Sequence, residues 1–201
     1  FHTILVSEGV WENYASVIKT YASGRNLRIK TIPTHADTGQ LSIPALLQDV
    51  KLYKPAGFIF QSPNKFGVLE DIENISALCQ RHQVTSILSW HPLCSGILTP
   101  PGKLGIDIVT GEGQSLGVPM AAGGPALGIF SIKEKYKAFL PGRIVGKTED
   151  AFGQTKFKLT DEFREQHKAR ENATSNICSN QAHNALRAAV FLSLMGSDGL
   201  K

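Results

Sequence analysis

GFIFQSPNKFGVLEDIENISALCQRHQVTSILSW, residues Gly57–Trp90, is the stretch whose reading decides the fold class. Gly57–Gln61 is a short apolar run of strand composition, and it stops at Ser62-Pro63-Asn64, a turn-forming triplet. Across Asp71–His82 the apolar residues Ile72, Ile75, Leu78 and Cys79 recur at the spacing of one helical face. Val84–Trp90 is then another apolar strand. Strand, helix, strand in that order predicts a parallel sheet with crossover helices, because continuously apolar strands need cover on both faces.

The same alternation extends outward. His2–Val6 reads as a strand, and Val10–Tyr21 as a helix with Trp11, Tyr14, Val17, Ile18 and Tyr21 on one face, Ser7 as its N-cap and Gly24 at its end. Leu27–Ile32 is the next strand and Leu41–Leu52 the next helix, while Gly105–Val109 and Leu127–Ile132 read as shorter strands. Pro141–Lys158 reads as a polar loop, followed by helices at Thr160–Glu171 and Asn180–Met195, the second with Ala182, Ala185, Leu186, Ala189 and Val190 inward. Neither an internal repeat nor a linker interrupts this, so an α/β fold in one domain over residues 1–201 is expected.

Composition narrows the function classes. The net charge of +4 is scattered without a basic run, which argues against a nucleic-acid arm or a membrane-surface patch. No stretch of about 18 apolar residues is present, so a cytosolic protein without a membrane span is expected. Cys79, Cys94 and Cys178 form no C-x-x-C pair and read as free thiols.

Few motifs carry chemistry. The segment GEGQSLGVPMAAGGPALG, Gly111–Gly128, holds six glycines and two prolines and reads as an irregular, functional connection. Its first glycines are spaced G-x-G-x-x-x-G, which misses the dinucleotide fingerprint by one position, and no phosphate-cradling G-x-x-x-x-G-K-[ST] occurs. His167 and Glu171 lie one helical turn apart in a densely charged segment that reads as a solvated face, so no metal site is predicted. The serines after the strands have no evident histidine and acid partners in the sequence, which disfavours hydrolase chemistry. His91 follows the strand Val84–Trp90, where open α/β sheets place ligand groups, and reads either as a binding residue or as a capped, packed one.

Two stretches go further: QSPNKFGVLEDIENISAL at Gln61–Leu78, and an almost continuous run from Leu98 to Leu200. The second includes LTPPGKLGIDIVTGEGQSLGVPMAAGGPALGIF, LPGRIVGKTEDAFG and REQHKARENATSNICSNQAHNALRAAVFLSLMG. Together they resemble the P-protein of the glycine cleavage system, in particular the first subunit of its two-subunit bacterial form. The resemblance implies the large domain of a fold-type-I pyridoxal-phosphate-dependent transferase, with a mostly parallel, seven-stranded sheet between helices. It also implies a further N-terminal region and a small C-terminal domain that this chain lacks, so the chain reads as a piece of a longer protein.

In that family the two subunits are homologous, and only the second carries the lysine that forms a Schiff base with the cofactor. Setting Gly123-Gly124-Pro125 against the glycine turn of the catalytic subunit places Gln114 where that lysine would stand, and an amide makes no such bond. First-subunit relatives commonly read A-D-P-L where this chain reads Trp90-His91-Pro92-Leu93, and histidine does not reproduce the carboxylate's charge against a protonated pyridine.

The resemblance therefore implies a non-catalytic half of a cytoplasmic heterotetramer. Its partner would be the catalytic subunit, which carries the pyridoxal phosphate, decarboxylates glycine and passes the aminomethyl group to the lipoyl H-protein. Ser62, Asn64, His91 and Gln114 are the candidate cofactor-facing residues, and no catalytic or metal-binding residue is expected. Two alternatives stay open: a free-standing α/β ligand-binding or sensor domain, and an independent pyridoxal-phosphate enzyme using Lys65 or Lys103. Whether the PGRIVG loop, Pro141–Gly146, admits a lipoyl arm or forms part of a subunit contact is also open.

Overall fold

The computed structural model describes residues 2–140, 145–159, 170–172 and 181–201. They divide into two compact units, Phe1–Ser131 with His183–Lys201, and Ile132–Ala182. The alternating elements are β1 (Thr3–Ser7), α1 (Glu12–Ser23), β2 (Arg28–Ile32), α2 (Ile43–Tyr53), β3 (Gly57–Ser62), α3 (Ile72–Arg81) and β4 (Thr85–Trp90). β5 (Ile108–Glu112) and β6 (Gly128–Ile132) follow, and helix α4 (Ala182–Leu200) comes last. The sheet runs β2-β1-β3-β4-β5-β6, six strands among the described residues rather than the seven that the resemblance implied. β1 pairs in parallel with both β2 and β3, and β3–β4 and β4–β5 are parallel as well.

One sheet face is sealed. Leu46 and Val50 of α2 and Ile72, Ile75 and Cys79 of α3 pack with Leu5, Ile32, Phe58, Phe60 and Leu88 into a single buried cluster. Phe58 and Phe60, two apart on β3, share that face, and their rings stack with centroids 5.4 Å apart. Caps set both helix starts: Ser42 Oγ accepts from Ala45 N at 3.4 Å, and Asp71 Oδ1 accepts from Asn74 N at 3.1 Å.

Elsewhere the structure departs from the sequence reading. Ser7 is not the cap of α1, since its Oγ accepts from Gly9 N at 3.0 Å inside the preceding turn and the helix starts after Trp11. Trp11, Tyr14, Val17 and Tyr21, read as one apolar helical face, are exposed, and Ala22 is the buried residue of α1. The helix packs beside β2, the edge strand of the sheet among the described residues. β5 begins three residues later than expected because Asp107 is held by side-chain bonds before the ladder starts. Its Oδ2 accepts from Ser86 N at 3.1 Å and from Ser86 Oγ at 3.2 Å, and its own N–H donates to Ser86 Oγ at 3.0 Å. The ladder proper then opens with Ile108 beside Ile87.

The supposed polar loop contains an antiparallel hairpin, β7 (Val145–Glu149) with β8 (Thr155–Leu159). Its turn closes on Asp150 Oδ1, which accepts from Phe152 N at 2.8 Å and Gln154 N at 3.0 Å. Alternating lysines and apolar residues suit an exposed ribbon as well as a loop, which is why polarity misled. In α4 the inward residues are Asn184 and Ala188, whereas Leu186 and Val190 are 64% and 51% exposed. Asn184 turns the helix inward by donating its amide to Pro125 O at 2.9 Å and Ala126 O at 3.2 Å. The helix read at Thr160–Glu171 lies outside the described residues except for Arg170–Asn172, a single 3₁₀ turn; His167, Cys178 and most of the PGRIVG loop lie outside them too. No described helix is long and apolar enough to cross a membrane.

Phe58→Ala is expected to lower stability by about 3–5 kcal/mol in urea denaturation, since a fully buried ring leaves a cavity against a closed sheet face. Tyr21→Ala, at a residue 67% exposed, should change it by no more than about 0.5 kcal/mol. Equal losses at the two positions would contradict this assignment of the core.

Candidate functional site

The strand order reverses between β1 and β3, and open α/β sheets bind ligands outside the carboxyl ends of strands at such a reversal. A cleft of about 540 Å³ opens there. Its floor is the second sheet face, where Gln61, Ser89 and Thr110 sit in register across β3, β4 and β5 above Ile59. Trp11, Tyr14 and Ile18 line it from the α1 side, and Trp90-His91-Pro92 with Gly111-Glu112 line it from the other strand ends. Gly111 is required by close approach: a Cβ there would lie 2.6 Å from the Trp90 carbonyl oxygen.

The loop after β3 builds the near wall. Gln61 Oε1 accepts from Trp11 N at 3.2 Å while its Nε2 donates to Pro63 O at 3.1 Å, tying the start of α1 to the loop. Lys65 N donates to Gly9 O at 2.8 Å, and the Lys65 ammonium pairs with Glu12 at 2.9 Å. That ammonium holds the Glu12 carboxyl below its ordinary range. Underneath, Asn64 Nδ2 donates to Gly39 O and to Glu70 Oε1, both at 2.8 Å, and Asn64 Oδ1 accepts from Phe66 N and Val68 N. Glu70 Oε2 accepts from Leu41 N at 2.9 Å, and Ser62 Oγ accepts from Glu70 N at 3.2 Å.

The structure therefore separates the four candidates. His91 lies at the cleft, exposed, with no side-chain hydrogen bond among the described residues. Asn64 touches the cleft, but both its amide hydrogens and its oxygen are engaged in the brace. Ser62 is buried beneath the same brace and lines a smaller hollow with Glu70 and Asp71. Gln114 does not line the cleft: its side chain donates to Val118 O at 3.0 Å and its N–H to Glu112 Oε1 at 3.0 Å, closing the Gly-rich turn on itself. Trp11, Tyr14, Gln61, Ser89, Thr110 and Glu112 were not foreseen as cleft residues. The available signal was a polar residue near the carboxyl end of each apolar strand, the Gln61 of GFIFQ, the Ser89 of SILSW and the Thr110 of IVT.

The cleft does not fit an aldehyde cofactor held as a Schiff base. Among the described residues neither lysine nor arginine lines it, and its formally charged group is the carboxylate of Glu112, which would face the cofactor's phosphate. Lys65 is committed to Glu12, and Lys103 lies in a turn whose N–H donates to Pro100 O at 2.9 Å. Burial pushes the Cys79 thiol up to about 12 and also raises that of Cys94, which works against a thiolate at either position. Among the described residues no group of three or more histidine, cysteine or acidic side chains is placed to hold a metal.

Burial pushes the Glu70 carboxyl above its ordinary 4.5, against the lowering pull of the Leu41 N–H and the Asn64 amide. The folded chain thus binds that proton more tightly than the unfolded chain. Its stabilising contribution is complete below pH 4.5 and is lost as pH rises through the folded value. The stability of the native chain minus that of Glu70→Gln, from urea denaturation, should fall as pH is raised from 4.5. A difference that grows with pH would mean that the fold prefers the ionised form.

The family model of the glycine cleavage system P-protein matches residues 1–201. A Bacillus pumilus protein named probable glycine dehydrogenase (decarboxylating) subunit 1 is 44% identical over 98% of this chain. A Prosthecochloris aestuarii protein of the same name is 45% identical over 98% of it. In both cases the chain spans 44% of the relative's length. A crystal structure of glycine decarboxylase (P-protein) of the glycine cleavage system, in inhibitor-bound form, superposes with a TM-score of 0.88 at 35% identity, covering 99% of this chain and 44% of that one. A cysteine desulfurase from Thermococcus onnurineus, at 14% identity and a TM-score of 0.65, covers 98% of this chain and 46% of its own; it shares the fold alone, that of fold-type-I pyridoxal-phosphate-dependent enzymes. With this fold, and with a family match along its whole length, the chain belongs to the glycine cleavage system P-protein family.

Proposed function

We propose that this chain is part of the first, non-catalytic subunit of glycine dehydrogenase (decarboxylating), a cytoplasmic protein of the glycine cleavage system. In this reading it assembles as a heterotetramer with the catalytic subunit. That partner holds the pyridoxal phosphate, decarboxylates glycine and hands the aminomethyl group to the lipoyl H-protein. The observation that carries the reading is the cleft itself: it stands at the strand-order reversal, yet among the described residues its lining offers no amine to an aldehyde. Gln114 supports the same conclusion, because its side chain is turned to Val118 O.

A free-standing ligand-binding or sensor domain is the less favoured reading. Identity of 44% to a first-subunit relative over 98% of the chain speaks for the same assembly. An independent enzyme using Lys65 would have to break the ion pair with Glu12 and still reach a cleft that Lys65 does not line.

The chain alone should catalyse no glycine–bicarbonate exchange, and after treatment with pyridoxal phosphate and borohydride no single lysine should be labelled stoichiometrically. Gln114→Lys should leave both results unchanged, because the new ammonium would take the place of an amide turned to Val118 O. Co-expressed with the catalytic subunit, the chain should co-purify with it. Exchange by the chain alone, or one fully labelled lysine, would overturn the assignment.

A further inference from the structure

The cleft has its own chemistry. Four polar groups at its lining make no hydrogen bond among the described residues: the hydroxyls of Ser89 and Thr110, the imidazole of His91, and Glu112 Oε2. Glu112 is held in place, since its Oε1 accepts from Gln114 N and from Leu127 N, both at 3.0 Å. That leaves a positioned carboxylate oxygen at the mouth of a space of about 540 Å³, within the size range of small-molecule sites. Trp11 and Tyr14 add half-exposed aromatic surface on the α1 side.

We propose that this cleft binds a small planar ammonium compound that carries no phosphate, the ammonium on Glu112 and the ring against Trp11 and Tyr14. The carboxylate favours a cation through a charge-assisted hydrogen bond, and the aromatic side chains favour a planar ring through stacking. A phosphate in the same space would lose its water without gaining a counter-charge and would face the Glu112 carboxylate. The hydroxyls of Ser89 and Thr110 on the floor suit a ring that bears hydroxyl substituents. The site therefore selects against the anionic cofactor of its fold and for its uncharged-tail, amine-bearing relatives. This goes beyond the assembly proposed above and does not depend on it.

Calorimetric titration of the full 201-residue chain with three probes tests the idea. Pyridoxamine has the ring, the hydroxyls and the amine; its 5′-phosphate adds the anion; pyridoxine replaces the amine by a hydroxyl. Pyridoxamine is expected to bind saturably at one site, with each of the other two weaker by about tenfold, equivalent to about 1.4 kcal/mol. Glu112→Gln keeps an oxygen for the Gln114 and Leu127 N–H groups and should weaken pyridoxamine by about tenfold. Trp11→Ala, at an exposed position, should also weaken it and serves if the first variant does not fold. No saturable binding of pyridoxamine, phosphate-ester binding as tight or tighter, or pyridoxine binding equally well would each overturn the proposal. Unchanged affinity in a folded Glu112→Gln would do the same.

Discussion

The side chain of Asn64 joins three stretches of chain that the sheet alone would leave apart. Its two amide hydrogens reach Gly39 O and Glu70 Oε1, and its oxygen takes the Phe66 and Val68 N–H groups, so every polar atom of a residue only 3% exposed is satisfied. Buried hydrogen bonds of this kind contribute about 1 kcal/mol each, and leaving one unmade costs more than that. The loop they shape then positions α1, because Lys65 N meets Gly9 O, Lys65 pairs with Glu12, and Gln61 receives Trp11 N. Gly9 packs closely on it, since a Cβ there would sit 3.1 Å from Asn64 Cβ and 3.3 Å from Ser7 Oγ. The near wall of the cleft is in this sense a consequence of one asparagine.

The brace also settles which charges the cleft can use. Lys65, the cation nearest the reversal in strand order by sequence, is drawn off to Glu12 on the outer side of the turn. Glu70 is consumed inside the brace by Leu41 and Asn64. What remains at the lining is Glu112, oriented by the backbone of the Gly-rich connection that it closes. Among the described residues, the formally charged group at the cleft is thus a carboxylate.

The two faces of the sheet differ in the same direction. One is closed by α2 and α3 around Phe58 and Phe60, and the other keeps Ile59, Ile87 and Ile108 only half-buried beside the cleft. These three isoleucines sit in register across β3, β4 and β5. Burial on one side supplies the stability, and incomplete burial on the other leaves room for a ligand or a neighbouring chain.

Strand and helix order, the parallel sheet and the placement of His91 at a strand end were legible in the sequence, because period-3.6 and continuous apolar patterns are local properties of the chain. Tertiary structure alone decided which face of α1 and α4 points inward, where β5 begins, and that Gln114 folds back on Val118 instead of entering the cleft. The inward face of α4 and the start of β5 depend on partners far along the chain, Asn184 on Pro125 and Asp107 on Ser86, and the turn that holds Gln114 is closed by Glu112 on Leu127. Hydrophobic periodicity records how apolar a face is, but the surface it meets, and the buried polar group that aims it, exist only once distant segments have been brought together.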